Sequence, residues 1–182
     1  RIIGYAQELP SAAPIALVET GANSGQLACD ILDTLAAEAP ALYGEISYTI
    51  CEPLASIRQI QSRILAAHRP KIHHHSQLSD ITPALPHGIL ISNELVDAFP
   101  VKLITKVNGS WIEKHVTMAQ DGFAFTHQKI ACPELLEFVD TLPPELPDGY
   151  QTEFRPRLRD FTTACAESIQ QGLVITIDYG HV

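Results

Sequence analysis

Clusters of basic residues, paired cysteines and long apolar stretches are all missing from this chain, and each absence narrows its function. Its 182 residues carry 12 Lys and Arg against 21 Asp and Glu, a formal net charge of −9. No Lys/Arg run is there to neutralise phosphates, which points away from nucleic acid as a partner. The four cysteines, Cys29, Cys51, Cys132 and Cys165, form no C-x-x-C pair, and they read as buried free thiols in a reducing compartment. No apolar run reaches membrane-spanning length, which argues against membrane insertion. No signal peptide is read, although a chain whose first residue is Arg1 says little on that point. There is no internal repeat and no low-complexity tract. With 46% hydrophobic and 18% charged residues, the chain has enough apolar material for one domain with a substantial core. The dinucleotide fingerprint G-x-G-x-x-G is missing too, which counts against a nicotinamide-dependent oxidoreductase.

What is present is organised around Ile15–Leu27, IALVETGANSGQL. Ile15, Ala16, Leu17 and Val18 form the continuous apolar run of a parallel strand covered on both faces. Glu19 stands where that strand ends. Gly21 and Gly25 bracket a tight turn that lets a ligand approach the backbone, and Leu27, Ile31, Leu32 and Leu35 recur at helical spacing. The pattern is E-x-G-x-x-x-G, with Asn23 in the place of a middle glycine. Asn tolerates positive φ better than most residues, so the turn can still close.

The helix is expected to end near Ala39-Pro40, followed by a second strand over Ile46–Cys51 with Glu52 at its end. A carboxylate in that position of a βαβ unit can accept hydrogen bonds from both hydroxyls of a ribose. A further helix is expected with Leu54, Ile57, Ile60, Ile64 and Leu65 on its apolar side. A third, weaker strand runs from Lys71 to Ser76. It holds His73, His74 and His75, which alternate faces in a strand and cannot easily share one metal ion, so no metal site is assigned. Asp80–Pro86 reads as a loop. A fourth strand, Gly88–Ser92, delivers Asn93-Glu94 and then Asp97 at its carboxyl end. Ligands of open α/β sheets bind outside the carboxyl ends of the strands, and Glu19, Glu52 and Asn93-Glu94 converge there.

Beyond Val101 the pattern changes. Val101–Val107 and Trp111–Met118 flank Asn108-Gly109-Ser110, the signature of an antiparallel hairpin, and Gly122–Phe125 adds a third strand. A β insertion is therefore expected at about 101–128, within a single domain spanning 1–182. A short helix is expected over Pro133–Asp140 and a longer one over Arg157–Gln171, capped by Gly172. A fifth parallel strand is expected over Leu173–Ile177, ending in Asp178-Tyr179-Gly180. The fold class read from these elements is α/β, with a mostly parallel sheet and an antiparallel insertion.

The stretches VETGANSGQL, YTICEPLASIRQIQ, GILISNELVDAFPV, LPDGYQTEFRP and LVITIDYGH, together with the hairpin bearing Trp111, Glu113 and Val116, run in the order of one family. The chain resembles the MidA-like S-adenosylmethionine-dependent methyltransferases, whose mitochondrial members are protein arginine methyltransferases of respiratory complex I assembly. The resemblance implies a Rossmann-like class I methyltransferase fold and S-adenosylmethionine as cofactor. It also implies a protein substrate such as a complex I subunit. Family members extend at both ends, so the chain reads as part of a longer one. The cytoplasm of a bacterium is the expected location, with the mitochondrial matrix as alternative, and a homodimer is left open.

The resemblance also assigns roles. Glu19 lies by the methionine moiety, Gly21 and Gly25 form the turn against the cofactor, Glu52 holds the ribose, and Asp80 flanks the adenine. Glu94 orients the guanidinium and accepts its proton, with Asn93 as an orienting amide and Asp97 as a second carboxylate. The competing reading is a non-catalytic assembly or binding module that keeps the methyltransferase fold.

Overall fold

The computed structural model describes residues 2–8 and 15–180. In chain order its elements are α1 (Ile2–Glu8), β1 (Ala16–Thr20), α2 (Gln26–Glu38), α3 (Pro40–Glu45), β2 (Ser47–Cys51), α4 (Ala55–Ile64), β3 (Ile72–His75) and β4 (Leu85–Asn93). Then come β5 (Lys102–Val107), β6 (Ser110–Ala119), β7 (Gly122–Lys129), α5 (Pro133–Asp140), β8 (Gln151–Phe154), α6 (Arg157–Ser168) and β9 (Ile169–Ile177). They divide into two compact units, residues 1–98 with 160–182, and residues 99–159.

The first unit is built on a five-stranded sheet in the order β3-β2-β1-β4-β9, with every pair parallel. The central strands carry apolar side chains on both faces, and both faces are covered. Leu17, Tyr48, Ile50 and Ile89 pack on one side with Leu32 and Leu35 of α2. Val18, Cys51 and Leu90 pack on the other with Cys165 of α6. The register sets Thr20 beside Cys51 and beside Ser92, so Gly21, Glu52 and Asn93 leave the sheet at neighbouring levels. No helix among the described residues is long and apolar enough to cross a membrane.

The second unit is an antiparallel sheet in the order β7-β6-β5-β8. Asn108 and Gly109 take φ of 49° and 75° at the β5–β6 turn, as an Asn-Gly hairpin requires. Ile104, Ile130 and Leu135 form its core, with Trp111, Phe138 and Phe154 packed against them. Glu113 is buried, accepts a hydrogen bond from Lys102 at 2.7 Å and lies 3.4 Å from His115. The insertion expected at about 101–128 covers β5, β6 and most of β7. β8 extends the same sheet by pairing with β5.

Three expectations are corrected. Gly172 does not cap a helix. α6 stops at Ser168 and β9 begins at Ile169, placing Gly172 opposite Gly88 of β4. A Cβ on Gly172 would overlap the Gly88 carbonyl oxygen, so the glycine marks a close approach of two strands. α4 does not bury the side carrying Leu54, Ile60 and Ile64, which are 58%, 42% and 39% exposed. Its covered stripe is Ile57, Gln61 and Leu65, four residues apart, and Ile60 and Ile64 lie about 60–100° round the helix from Gln61. The stretch Asp80–Pro86 is not all loop. Leu78–Asp80 forms a 3-10 turn and β4 starts at Leu85.

Candidate functional site

The carboxyl ends of β1 and β4 frame a cleft of about 360 Å³ lined by Glu19, Gly21, Ala22, Asn23, Ser24, Gln26, Leu27, Asn93 and Glu94, a volume suited to a small organic ligand. Four residues expected at a binding site from the sequence, Glu19, Gly21, Asn93 and Glu94, therefore share one wall. The turn that follows β1 has Gly21, Asn23 and Gly25 at φ of 77°, 46° and 86°. Asn23 thus adopts the left-handed conformation that its position demands. Gly25 caps α2, and its N–H donates to the Ala22 carbonyl at 2.7 Å. This leaves the start of a 13-residue helix, with its unpaired N–H groups, at the edge of the cleft.

Glu19 is 2% exposed and accepts a hydrogen bond from the Tyr48 hydroxyl at 2.7 Å. Burial raises its carboxyl above the ordinary range, and the Tyr48 bond opposes that shift. Burial and the neighbouring Glu19 carboxylate push the Tyr48 phenol upward in turn. Glu94 is held differently. Its backbone is left-handed at φ 47°, its N–H donates to the Ile177 carbonyl at 2.8 Å, and its side chain is exposed. A non-glycine residue in that region is costly unless its surroundings fix it, and here the ends of β4 and β9 do so.

Asp97 lies beside this wall. Its N–H is 3.3 Å from Asp178 Oδ2, and its Oδ1 is buried with no hydrogen-bond partner. The nearby Asp97 carboxylate, followed by the negative charges of Asp178 and Glu94, pushes the Tyr179 phenol upward. Glu52 ends β2 with its N–H on the His75 carbonyl at 2.9 Å, and its Oε1 accepts the Leu54 N–H at 2.9 Å. Asp80 uses Oδ2 to accept the Ser76 and Gln77 N–H groups, both at 3.1 Å. Gly25, Glu52, Asp80 and Asp97 are not among the residues that line the cleft.

The histidine run resolves as structure. His74 on β3 meets Gln61 at 3.1 Å. Elsewhere Cys29, Asp33 and His68 bring three potential metal-ligand atoms within 4.8 Å of one another. Both ring nitrogens of His68 are engaged, Nδ1 with the Tyr43 hydroxyl at 2.8 Å and Nε2 with Asp33 at 3.0 Å, so the group reads as a strut between α2 and α3. Burial drives the thiols of Cys51 and Cys165 up to about 12 and about 11, which leaves them unreactive at neutral pH.

Sequence reasoning missed Tyr48, Ser24, Gln26 and Gln61. Nothing in an alternating strand singles out Tyr48. Gln61 did carry a signal, as a polar residue four positions from both Ile57 and Leu65 on the covered stripe.

No curated protein matches the chain significantly. Two solved structures from Burkholderia thailandensis resemble it. One is a COG1565 superfamily protein with TM-score 0.77 and 27% identity over 97% of this chain and 46% of its own. The other is a COG1565 superfamily member bound to S-adenosyl-homocysteine, with TM-score 0.74 and 28% identity over 97% of this chain and 45% of its own. The chain thus spans less than half the length of either structure. The model of the family described as "Putative S-adenosyl-L-methionine-dependent methyltransferase" matches residues 3–182, and the chain, with its glycine turn and parallel sheet, belongs to that family.

Proposed function

We propose that this chain forms the cofactor-binding part of an S-adenosylmethionine-dependent methyltransferase that modifies an arginine side chain of a partner protein. A respiratory complex I subunit is the partner that the family resemblance suggests. The observation that carries the reading is the shared cleft, where a glycine turn, a helix N-terminus and three polar side chains meet at the strand ends. The relative solved with S-adenosyl-homocysteine supports the same ligand class. The residues fit the group, because Glu19, Asn93 and Glu94 line the cleft and the turn beside it closes through Gly21 and Gly25, where a Cβ would press on Leu95 and on Gln61.

The cofactor supplies an electrophilic methyl group on a sulfonium. In this reading the turn from Gly21 to Gly25 lies against the amino-acid end, and Glu19 offers its carboxylate to the ammonium. Glu52 holds the ribose hydroxyls and Asp80 sits toward the adenine. Glu94 orients the guanidinium with charge-assisted hydrogen bonds and accepts the proton it loses, with Asn93 as an orienting amide. Asp97, whose N–H faces Asp178 Oδ2, is the second carboxylate in this reading.

The test is calorimetric titration of the chain with S-adenosylmethionine, S-adenosylhomocysteine and, as control, NAD, repeated on Gly21→Val and Glu52→Ala. Binding of the first two alone, weakened about tenfold or more in both variants, supports the reading. Absence of binding by the folded chain and by its longer parent protein overturns it. Transfer of labelled methyl groups to arginine-containing peptides, lost in Glu94→Gln, tests the substrate. Cofactor binding without transfer to any protein favours the non-catalytic assembly module.

A further inference from the structure

The glycine turn is braced from behind by a residue to which the sequence assigned no role. Gln61 of α4 is 0% exposed, yet it carries a primary amide. Its Nε2 donates to the Asn23 carbonyl at 2.8 Å, and His74 Nε2 lies 3.1 Å from its Oε1. The Asn23 carbonyl only accepts, so the amide must turn its NH₂ toward Asn23 and its oxygen toward His74. His74 must then donate, which places its proton on Nε2. Burial, followed by the charge of Arg58, holds the His74 ring below its ordinary value, in keeping with a neutral ring of that tautomer. Gln61 also fills the space beside Gly25, where a Cβ would come within 3.3 Å of its Cγ.

The consequence lies on the opposite side of the peptide. In a trans peptide the carbonyl and the following N–H point in opposite directions. Pinning the Asn23 carbonyl to α4 therefore aims the Ser24 N–H away from Gln61. Asn23 and Ser24 both line the cleft, and Asn23 holds a left-handed conformation that persists only where its surroundings enforce it. We propose that Gln61 is a positioning residue for the cofactor: by holding the Asn23 carbonyl it presents the Ser24 N–H to the carboxylate of the bound ligand's amino-acid end. The inference rests on the cofactor reading above, and His74 serves it by fixing which way the Gln61 amide faces.

The test titrates S-adenosylhomocysteine into the wild type, Gln61→Leu and Gln61→Glu, with thermal unfolding midpoints measured alongside. Gln61→Leu removes the donor. Gln61→Glu keeps an oxygen toward His74 but sets an acceptor against the Asn23 carbonyl. Both folded variants are expected to bind about tenfold more weakly or worse, with Gln61→Glu no better than Gln61→Leu. Wild-type affinity in either folded variant, even with a lowered midpoint, overturns the proposal and leaves Gln61 a purely structural residue. Should Gln61→Leu fail to fold, His74→Ala keeps Gln61 and frees its amide to rotate. That variant is expected to lose about threefold in affinity, and unchanged affinity again overturns the proposal. If neither the wild-type chain nor a longer protein that carries it takes the ligand, the cofactor reading has failed. The turn is then read from hydrogen exchange at the Ser24 amide, which must quicken in Gln61→Leu for the positioning role to stand.

Discussion

Glu19 meets two opposed demands. It is buried in a strand, which favours the neutral acid, and it lines a cleft where its charge is useful. Its carboxyl is raised above 4.5, so the folded chain binds the proton more tightly than the unfolded chain does. That contribution to stability is fully present below the ordinary carboxylate value and is lost as pH rises through the raised one. Glu19→Gln removes the titration and keeps an oxygen for the Tyr48 hydroxyl. The variant is expected to resist urea better than the wild type at pH 7, with the two midpoints converging as the solution is acidified below about pH 4.5. Its affinity for S-adenosylhomocysteine is expected to fall. A pH-independent gap between the urea midpoints would show that burial does not govern this carboxyl.

Among the elements, the β4–β9 pair and the β5–β6 pair make separate demands. β9 runs beside β4 with Gly172 facing Gly88. Gly172→Ala forces a methyl group onto a backbone carbonyl, with an expected loss of about 1–3 kcal/mol, read as a lower urea midpoint at an unchanged slope. Lys102 is about one-third exposed while Glu113 is buried. Lys102→Met leaves that carboxylate, among the described residues, with His115 as its remaining ion-pair partner, for an expected loss of about 1–2 kcal/mol once solvent screening of the lysine is allowed for. The double variant with Glu113→Gln should recover most of it, and failure to recover would mean that packing of the lysine stem carries the effect. These elements also show what a sequence reveals. The strands β1 and β4 were legible from the apolar runs Ile15–Val18 and Gly88–Ser92, β2 from its β-branched and aromatic residues, and Asn-Gly announced the hairpin. β8 was not, since QTEF is four mostly polar residues whose strand identity comes from pairing with β5. The α6–β9 junction was misread because a glycine after a helix pattern signals a cap as readily as it signals a close strand contact. Glu19, Gly21, Asn93 and Glu94 were legible because strand ends converge by topology. Gln61 and Tyr48 were not, because what they touch depends on how α4 and β2 pack.

For the whole molecule, the net charge of −9 means that a basic protein or peptide is drawn in while an acidic one is repelled. If the substrate is an arginine-bearing segment, methyl transfer at sub-saturating peptide is expected to slow as ionic strength rises from low to about physiological values, where the screening length is about 8 Å. A rate indifferent to salt would place recognition in apolar contacts instead. The two borders of the parallel sheet differ sharply. β3 is four residues long and ends in three histidines, a short polar rim that offers little to another strand. β9 spans nine residues, carries no charge, and leaves Leu173, Val174 and Ile177 exposed. Among the described residues no strand pairs with its outer edge, and such an edge is a template onto which an extended apolar segment can register. Two copies that present this border to each other would pair there and go no further, because the histidine border gives a third copy nothing to extend.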